Sequence, residues 1–500
     1  MLSRKNGTIF QWEFLRCISS TLVILLHYNN FLVFLLDYYR MKSYRKYAII
    51  KLSTLFFLIL SLNGCAGFWP FGKQNGFVKV SGTQFTQNDE PYYFTGTNLW
   101  YACYLGSPGI HGDRNRLLRE LDSLQSIGIT NIRLLAGSEM SAMKRTLKPS
   151  MTLAPAVFDD SLLLGLDFTI AEMGKRDMKV VLFLTNYWEW SGGMAQYIVW
   201  ADSVPAFNPD VDGWDAFMNF SASFYKNEKA NLFFRSYVRK LLTRINTANG
   251  KKYCNDPAIM AWQLANEPRP GTISEEGFKN VPQYIRWVDE TAGFIKSLDT
   301  NHLVSTGSEG IIGSLRSEEY YRTAHMSKNI DYMTLHLWPS IWKWFDPKDP
   351  QGTFSAAIDS SLEYISAHIS SARKAGKPLV LEEFGIVRDN SEYAENIPTT
   401  VRDRFFQQIL SFTYDSARAG SPLAGTNFWA WGGEGRSINE DYMWNEGDPF
   451  TGDPPHEPQG MHSVFARDSS TSAIIRQYAK KMNRLGKIDT LFARSSYGTK

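Results

Sequence analysis

The segment Ile259-Met260-Ala261-Trp262-Gln263-Leu264-Ala265-Asn266-Glu267-Pro268 reads as a buried strand with chemistry at its end. Its first seven residues are mostly apolar and too few for a core helix, which suits a strand covered on both faces. Pro268 has no N–H to continue a ladder, so the run stops at Asn266-Glu267. A carboxylate just past a buried strand is a costly place for a charge. Leu379-Val380-Leu381-Glu382-Glu383-Phe384-Gly385 repeats the arrangement. Strand alternation sends Glu382 and Glu383 to opposite sides, so only one of them is expected to point into the site.

Outward from these two runs, six more β-rich runs are predicted at Tyr93–Asn98, Asn131–Ala136, Lys179–Thr185, Leu303–Thr306, Tyr332–His336 and Thr426–Ala430. Helical patterns separate them. Leu117, Leu118, Leu121, Leu124 and Ile127 keep three-to-four spacing before Gly128, and Phe233, Tyr237, Val238, Leu241 and Ile245 do the same. Eight βα units without a dinucleotide-binding glycine fingerprint predict an α/β fold, a single (β/α)8 TIM barrel with long βα loops. A doubly wound sheet is the alternative. A β-hairpin of Phe77–Phe85 and Tyr92–Phe94 around Gln87-Asn88-Asp89-Glu90 is expected before the first barrel strand. The barrel domain is predicted over 76–500. At about 150 residues per domain the 500-residue chain suggests three domains, but closed barrels run to over 400 residues as one.

Composition narrows the function. A hydrophobic fraction of 44% with 21% charged residues excludes a disordered chain. Lys+Arg 53 against Asp+Glu 50 leaves +3, which carries no nucleic-acid footprint. Four cysteines exclude a disulfide scaffold. Cys103 and Cys254, predicted at opposite barrel ends, are expected to be free thiols. No His-Glu-x-x-His, Gly-x-Ser-x-Gly or Gly-Lys-Ser/Thr loop occurs, so neither metal nor cofactor is expected.

Met41 to Cys65 has the order of a signal peptide. Lys42, Arg45 and Lys46 precede an apolar run, Ile49 to Leu62, and Leu62-Asn63-Gly64-Cys65 resembles a bacterial lipobox. Cys65 is therefore the expected lipid attachment site. The protein would be anchored outside the cytoplasm, on the periplasmic face or the cell surface; a plain secretory signal is the alternative. Residues 66–75 form a short linker. An earlier stretch, Leu15 to Leu36, is broken by His27-Tyr28-Asn29-Asn30 and lacks the ~20 apolar residues of a span. Residues 1–40 read as an upstream extension that is not made, or else as a membrane hairpin.

Two carboxylates on the fourth and seventh strands face each other across a barrel mouth, which suits acid/base and nucleophilic work on an acetal. A gap of about 5–5.5 Å gives retention and a wider one inversion. Here a resemblance enters. Trp262 to Arg269 (WQLANEPR), Leu381 to Gly385 (LEEFG) and Phe428 to Arg436 (FWAWGGEGR) resemble glycoside hydrolase family 5. Asn186 to Gly193 (NYWEWSGG) and Gly452 to Gly460 (GDPPHEPQG) resemble its endo-β-1,4-mannanases of the bacterial lipoprotein type, over roughly 76–480.

The resemblance implies a retaining mechanism with Glu267 as acid/base and Glu383 as nucleophile. It implies that Arg133 keeps the nucleophile ionised, that Asn266 binds the sugar 2-hydroxyl, that His336 serves the site from the sixth strand, and that Trp429 floors the −1 subsite. A low pKa is then expected for Glu383 and a raised one for Glu267. The family often carries Tyr two residues after the histidine; Trp338 stands there instead and reads as a sugar platform. Trp188 and Trp100 join it as expected substrate contacts. The implied substrate is a β-mannan backbone cut internally by a monomer. An endo-glucanase or xyloglucanase on the same barrel, and an anchored glycan-binding protein without chemistry, are the competing readings.

Overall fold

The computed structural model describes residues 76–496, with side chains to 485. The extension, signal peptide, Cys65 and linker lie outside these residues. Eight parallel strands form the core sheet: β1 (Phe94–Asn98), β2 (Asn131–Leu135), β3 (Lys179–Phe183), β4 (Ile259–Gln263), β5 (Leu303–Ser305), β6 (Met333–Leu337), β7 (Leu379–Phe384) and β8 (Leu423–Phe428). Their order is β5-β4-β3-β2-β1-β8-β7-β6. A parallel bridge between Ser305 and Tyr332 joins the two ends, so the sheet closes into the expected TIM barrel.

Each strand is followed by a helix that covers it: α1 (Arg114–Ser126), α2 (Asp160–Lys175), α3 (Glu228–Leu242), α4 (Glu275–Leu298), α5 (Glu318–His325), α6 (Pro350–Ala375), α7 (Thr400–Arg418) and α8 (Ser469–Ser496). Side-chain caps start several of them. Asp113, Asp159, Asn227, Ser274 and Asp349 each accept a backbone N–H of the first turn, which satisfies a donor that the helix leaves unpaired. Leu117, Leu121 and Leu124 of α1 are fully buried, as their spacing predicts.

The bottom of the barrel differs from expectation. The predicted hairpin is a three-stranded meander, Val78–Ser81, Gln84–Gln87 and Glu90–Pro91. Gly82, at φ +60°, turns the chain inside the run that reads as one strand, and Asn88 and Asp89 make the second turn. The meander plugs the barrel floor. Val78 and Phe85 pack with Phe94, Met260, Tyr332 and Val380, and the Phe85 and Tyr332 rings meet edge-on at 5.4 Å. β8 begins at Leu423, three residues before its predicted start.

Loops at the opposite end are long. Between β3 and α3 the chain adds helices Gly193–Asp202 and Trp214–Ala222, and between β8 and α8 it runs through residues 429–468. Cys103 and Cys254 are both free and buried. Among the described residues no helix is long and apolar enough to cross a membrane.

Candidate active site

Arg133, on β2, is fully buried and organises the upper barrel. Its guanidinium lies 4.6 Å from the centre of the Phe183 ring. Nε donates to Gln263 Oε1 at 2.7 Å, Nη1 to Asn98 Oδ1 at 3.1 Å and Nη2 to Asn266 Oδ1 at 2.8 Å. Nη1 also donates to Glu383. A planar fork of five donors suits such a divided role.

Alternation fails at the end of β7, and this corrects the sequence expectation. Glu382 lies 3.8 Å from Arg133 and accepts from Gln263 Nε2 through both oxygens, so both glutamates reach the same arginine. The cause is a bulge. Leu335 pairs with Leu381 and His336 with Glu383, which leaves Glu382 without a partner on β6.

Glu267 takes a left-handed backbone (φ +49°) just past β4, an unusual conformation for a glutamate and one that aims its side chain across the mouth. Its two oxygens lie 2.6 Å from His336 Nδ1 and 2.6 Å from Trp188 Nε1, which donates to it. His336 Nδ1 is also 3.3 Å from Glu383. Burial pulls the His336 pKa down to about 4, so near neutral pH the ring is uncharged and donates Nδ1–H to Glu267. One oxygen of Glu267, one of Glu383 and a ring nitrogen of His336 all lie within 4.8 Å of one another. A cation among them would oppose the guanidinium already on Glu383.

The two carboxyls titrate as a pair. Burial pushes Glu383 up, the charge of Glu267 adds to this, and Arg133 pulls the other way. Burial also raises Glu267, but His336, Arg269 and the Trp188 indole outweigh it and hold the group at about 2. The pair therefore shares one proton, with Glu383 raised and Glu267 lowered, directions opposite to those expected from sequence. Arg133 divides its donors among four partners, whereas Glu267 collects two close neutral donors.

A cavity of 810 Å³ opens over the pair, lined by Trp188, Asn266, Glu267, Trp338, Glu383 and Trp429 among others. Arg133 and His336 stand behind this lining. Trp338 and Trp429 meet edge-on at 6.1 Å. Gly385 leaves room for both: a Cβ there would fall 2.9 Å from the Trp429 carbonyl and 3.1 Å from Trp338. Trp100 is a correction. It is buried outside the cavity, donates to the Gly452 carbonyl at 2.8 Å, and packs edge-on against Trp190 and Phe450. The loop after β1 folds beneath the cleft wall, so its indole supports that wall.

The wall itself was not read from the sequence. His456, in the loop after β8, pairs with Glu189, in the loop after β3, at 2.9 Å, and its ring meets Trp190 edge-on. In the strand order β3-β2-β1-β8 this pair bridges the tops of β1 and β2. Pro454, His456 and Glu457 line the cavity on that side. Across from them, exposed Trp214, Ile273 and Ile341 border an open rim after β3, β4 and β6. Gln263 had a signal, as the lone polar side chain of its strand. The bulge at Glu382 and the His456–Glu189 bridge had none.

A family model described as GH family 5 beta-mannosidase-like matches residues 75–487. The chain belongs to glycoside hydrolase family 5. It is thus an enzyme, a glycoside hydrolase, and the eight-stranded barrel is the family 5 fold. The family 5 mannosidase of Rhizomucor miehei superposes with a TM-score of 0.76 at 34% identity, covering 83% of this chain and 100% of that one. A variant of it solved in complex with mannosyl-fructose gives 0.75 at 35%, covering 82% and 98%. Among curated relatives, mannan endo-1,4-beta-mannosidase 4 of Solanum lycopersicum is 30% identical over 428 residues, 82% of this chain and 92% of that protein.

Proposed function

We propose that the protein hydrolyses β-1,4-mannosidic bonds with retention of configuration, Glu383 acting as nucleophile and Glu267 as acid/base. The carrying observation is the pair itself: carboxylate oxygens within 4.8 Å, with Arg133 donating to Glu383 and not to Glu267. That spacing suits direct attack and leaves little room for the intervening water of an inverting enzyme. Glu383 bonds to the anomeric carbon as the glycosidic C–O bond breaks, and the leaving oxygen takes a proton from Glu267. Water then delivers its oxygen to that carbon and a proton to Glu267, releasing Glu383. For this the shared proton must pass to Glu267 as substrate seats, with Arg133 taking the charge left on Glu383. The mannan assignment draws on the relatives' names. The first-formed anomer, read by NMR, tests retention; a higher kcat/KM on cellulose or xyloglucan than on mannan overturns the substrate.

The wall favours a second reading of where the chain is cut. The acid stands on β4, on the open side, so the leaving portion runs outward there. The glycone then points at the His456–Glu189 bridge. Such a cleft favours release of single mannose units from the non-reducing end over the internal cuts that the sequence suggests. Early products from mannopentaose decide between them: mannose with mannotetraose supports end-wise attack, and mannobiose with mannotriose supports internal cutting.

The location is also proposed, from Leu62-Asn63-Gly64-Cys65: a chain acylated at Cys65 and held to a membrane outside the cytoplasm. Fatty-acid labelling of the wild type and of Cys65→Ser tests it; label on both ends the idea.

A further inference from the structure

The loop after β8 gathers three ligand-type side chains that the proposed reaction does not use. Asp453, Glu457 and His462 each place one atom within 4.8 Å of the other two. Asp453 and His462 are buried, and the Glu457 side chain, 21% exposed, borders the cavity. Backbone donors fix both oxygens of Asp453: Oδ1 accepts from His462 N at 2.7 Å and Oδ2 from Gly460 N at 2.7 Å. Gly460 makes this turn at φ +106°, where a Cβ would strike the Tyr393 carbonyl. The His462 ring is held edge-on to Trp338 at 5.1 Å.

The three groups are close but not bonded to one another. His462 Nδ1 stands 3.8 Å from Asp453 Oδ1 and 3.8 Å from Glu457 Oε2, too far for a hydrogen bond. Glu457 Oε2 and both ring nitrogens of His462 are buried without a hydrogen-bond partner, a rare state that calls for a ligand. Among the described residues no lysine or arginine pairs with either carboxylate; their ion-pair partners are histidines. Glu382 and Glu383, by contrast, share Arg133. Arg402, behind the loop, is turned to the Ser463 carbonyl at 2.7 Å and to Asp468 at 3.5 Å. Two carboxylates beside a neutral imidazole leave two negative charges, which a divalent cation cancels. Ligands 2.0–2.2 Å from one metal lie roughly 3.0–3.5 Å apart, so a small shift of Glu457 closes the set.

We propose that Asp453, Glu457 and His462 bind one divalent transition-metal ion, zinc by the donor set, with water from the cavity completing the coordination. One imidazole nitrogen with two carboxylate oxygens suits zinc better than calcium or magnesium, which take oxygen ligands. The expectation of no metal rested on a helix-borne motif, whereas these ligands, spaced Asp-x3-Glu-x4-His, sit in an irregular loop. The ion is structural. Glu457 Oε1 lies 3.7 Å from His456 Nε2, so the ion clamps the segment that carries the bridge to Glu189. It does not depend on which bond the enzyme cuts.

The test uses the full-length enzyme without a histidine tag, treated with chelator, dialysed, and titrated with zinc chloride in a calorimeter at pH 7. Wild type should take up one zinc per chain, and saturating zinc should raise its Tm by several degrees. His462→Ala should lose the binding and the Tm shift. Glu457→Gln, at the most exposed of the three positions, should weaken zinc at least tenfold while its circular dichroism stays that of wild type, and it decides the matter if His462→Ala does not fold. Glu383→Gln should keep wild-type affinity, which separates this site from the cluster of Glu267, His336 and Glu383. A wild type that takes up no zinc, or wild-type affinity in Glu457→Gln, overturns the site. So does a loss of zinc confined to Glu383→Gln.

Discussion

The two sides of the barrel mouth are built in opposite ways. Above β8, β1, β2 and β3, two loops meet through His456–Glu189 and rest on a buried layer of Trp100, Trp190 and Phe450. Above β4, β5 and β6 the loops touch only through Glu309, which pairs with Arg269 and accepts from Trp342, and Ile273 and Ile341 stay exposed, with Trp214 of the β3 loop, around a cavity that continues to solvent. Glu267 and Glu383 stand between the two. On a symmetric barrel, direction along a polysaccharide comes from such loop asymmetry: one side limits length, the other accepts it.

The largest effect should come from the line between the sides. Glu383→Ala is expected to lose about 10⁴-fold or more in kcat while its circular dichroism stays that of wild type. Glu267→Ala should be rescued by azide, giving the β-mannosyl azide. An α-azide would remove the covalent intermediate from the account.

Breaking the wall should come next. His456→Ala removes the bridge, and early products from mannopentaose should shift from mannose towards mannobiose and mannotriose, with activity down about tenfold. If wild type already lowers mannan viscosity before reducing sugar accumulates, the wall does not limit the glycone and the comparison between the sides fails.

A smaller effect is set by the shared proton. Burial raises Glu383, so the pair loses its proton above the ordinary carboxyl range of about 4. Activity needs that proton and should decline with rising pH only above this range. A basic limb at or below pH 4 would mean that Arg133 dominates and that the proton is not retained.

How far each side was legible follows from its physics. The barrel was readable because eight short apolar runs and their helical spacers each state their own period. Glu267 and Glu383 were readable because a charge past a buried strand is expensive. The order of the proton on the pair was not, since it depends on how Arg133 divides its donors and on Trp188 reaching Glu267 from another loop. Glu382 was misplaced because alternation is a rule for regular strands and a bulge breaks it. Trp100 was misassigned because an indole at a strand end looks the same whether it faces sugar or supports a wall. The His456–Glu189 pair joins residues 267 positions apart, a contact that only the closed barrel creates.

That pair also gives the smallest test. Burial alone would lower the pKa of His456, but Glu189 and Glu457 outweigh it and hold it up at about 10. The unfolded value is near 6.5. A pKa raised on folding stabilises the native state fully below the unfolded value, and the contribution fades as pH climbs through the folded one. His456→Gln keeps a side chain of similar reach without the charge. Its Tm should therefore lie a few degrees below wild type at pH 6, and the gap should narrow steadily towards pH 10. A gap that holds constant over that interval would mean that the bridge is held by packing against Trp190 rather than by charge. The wall would then stand on its aromatic layer alone.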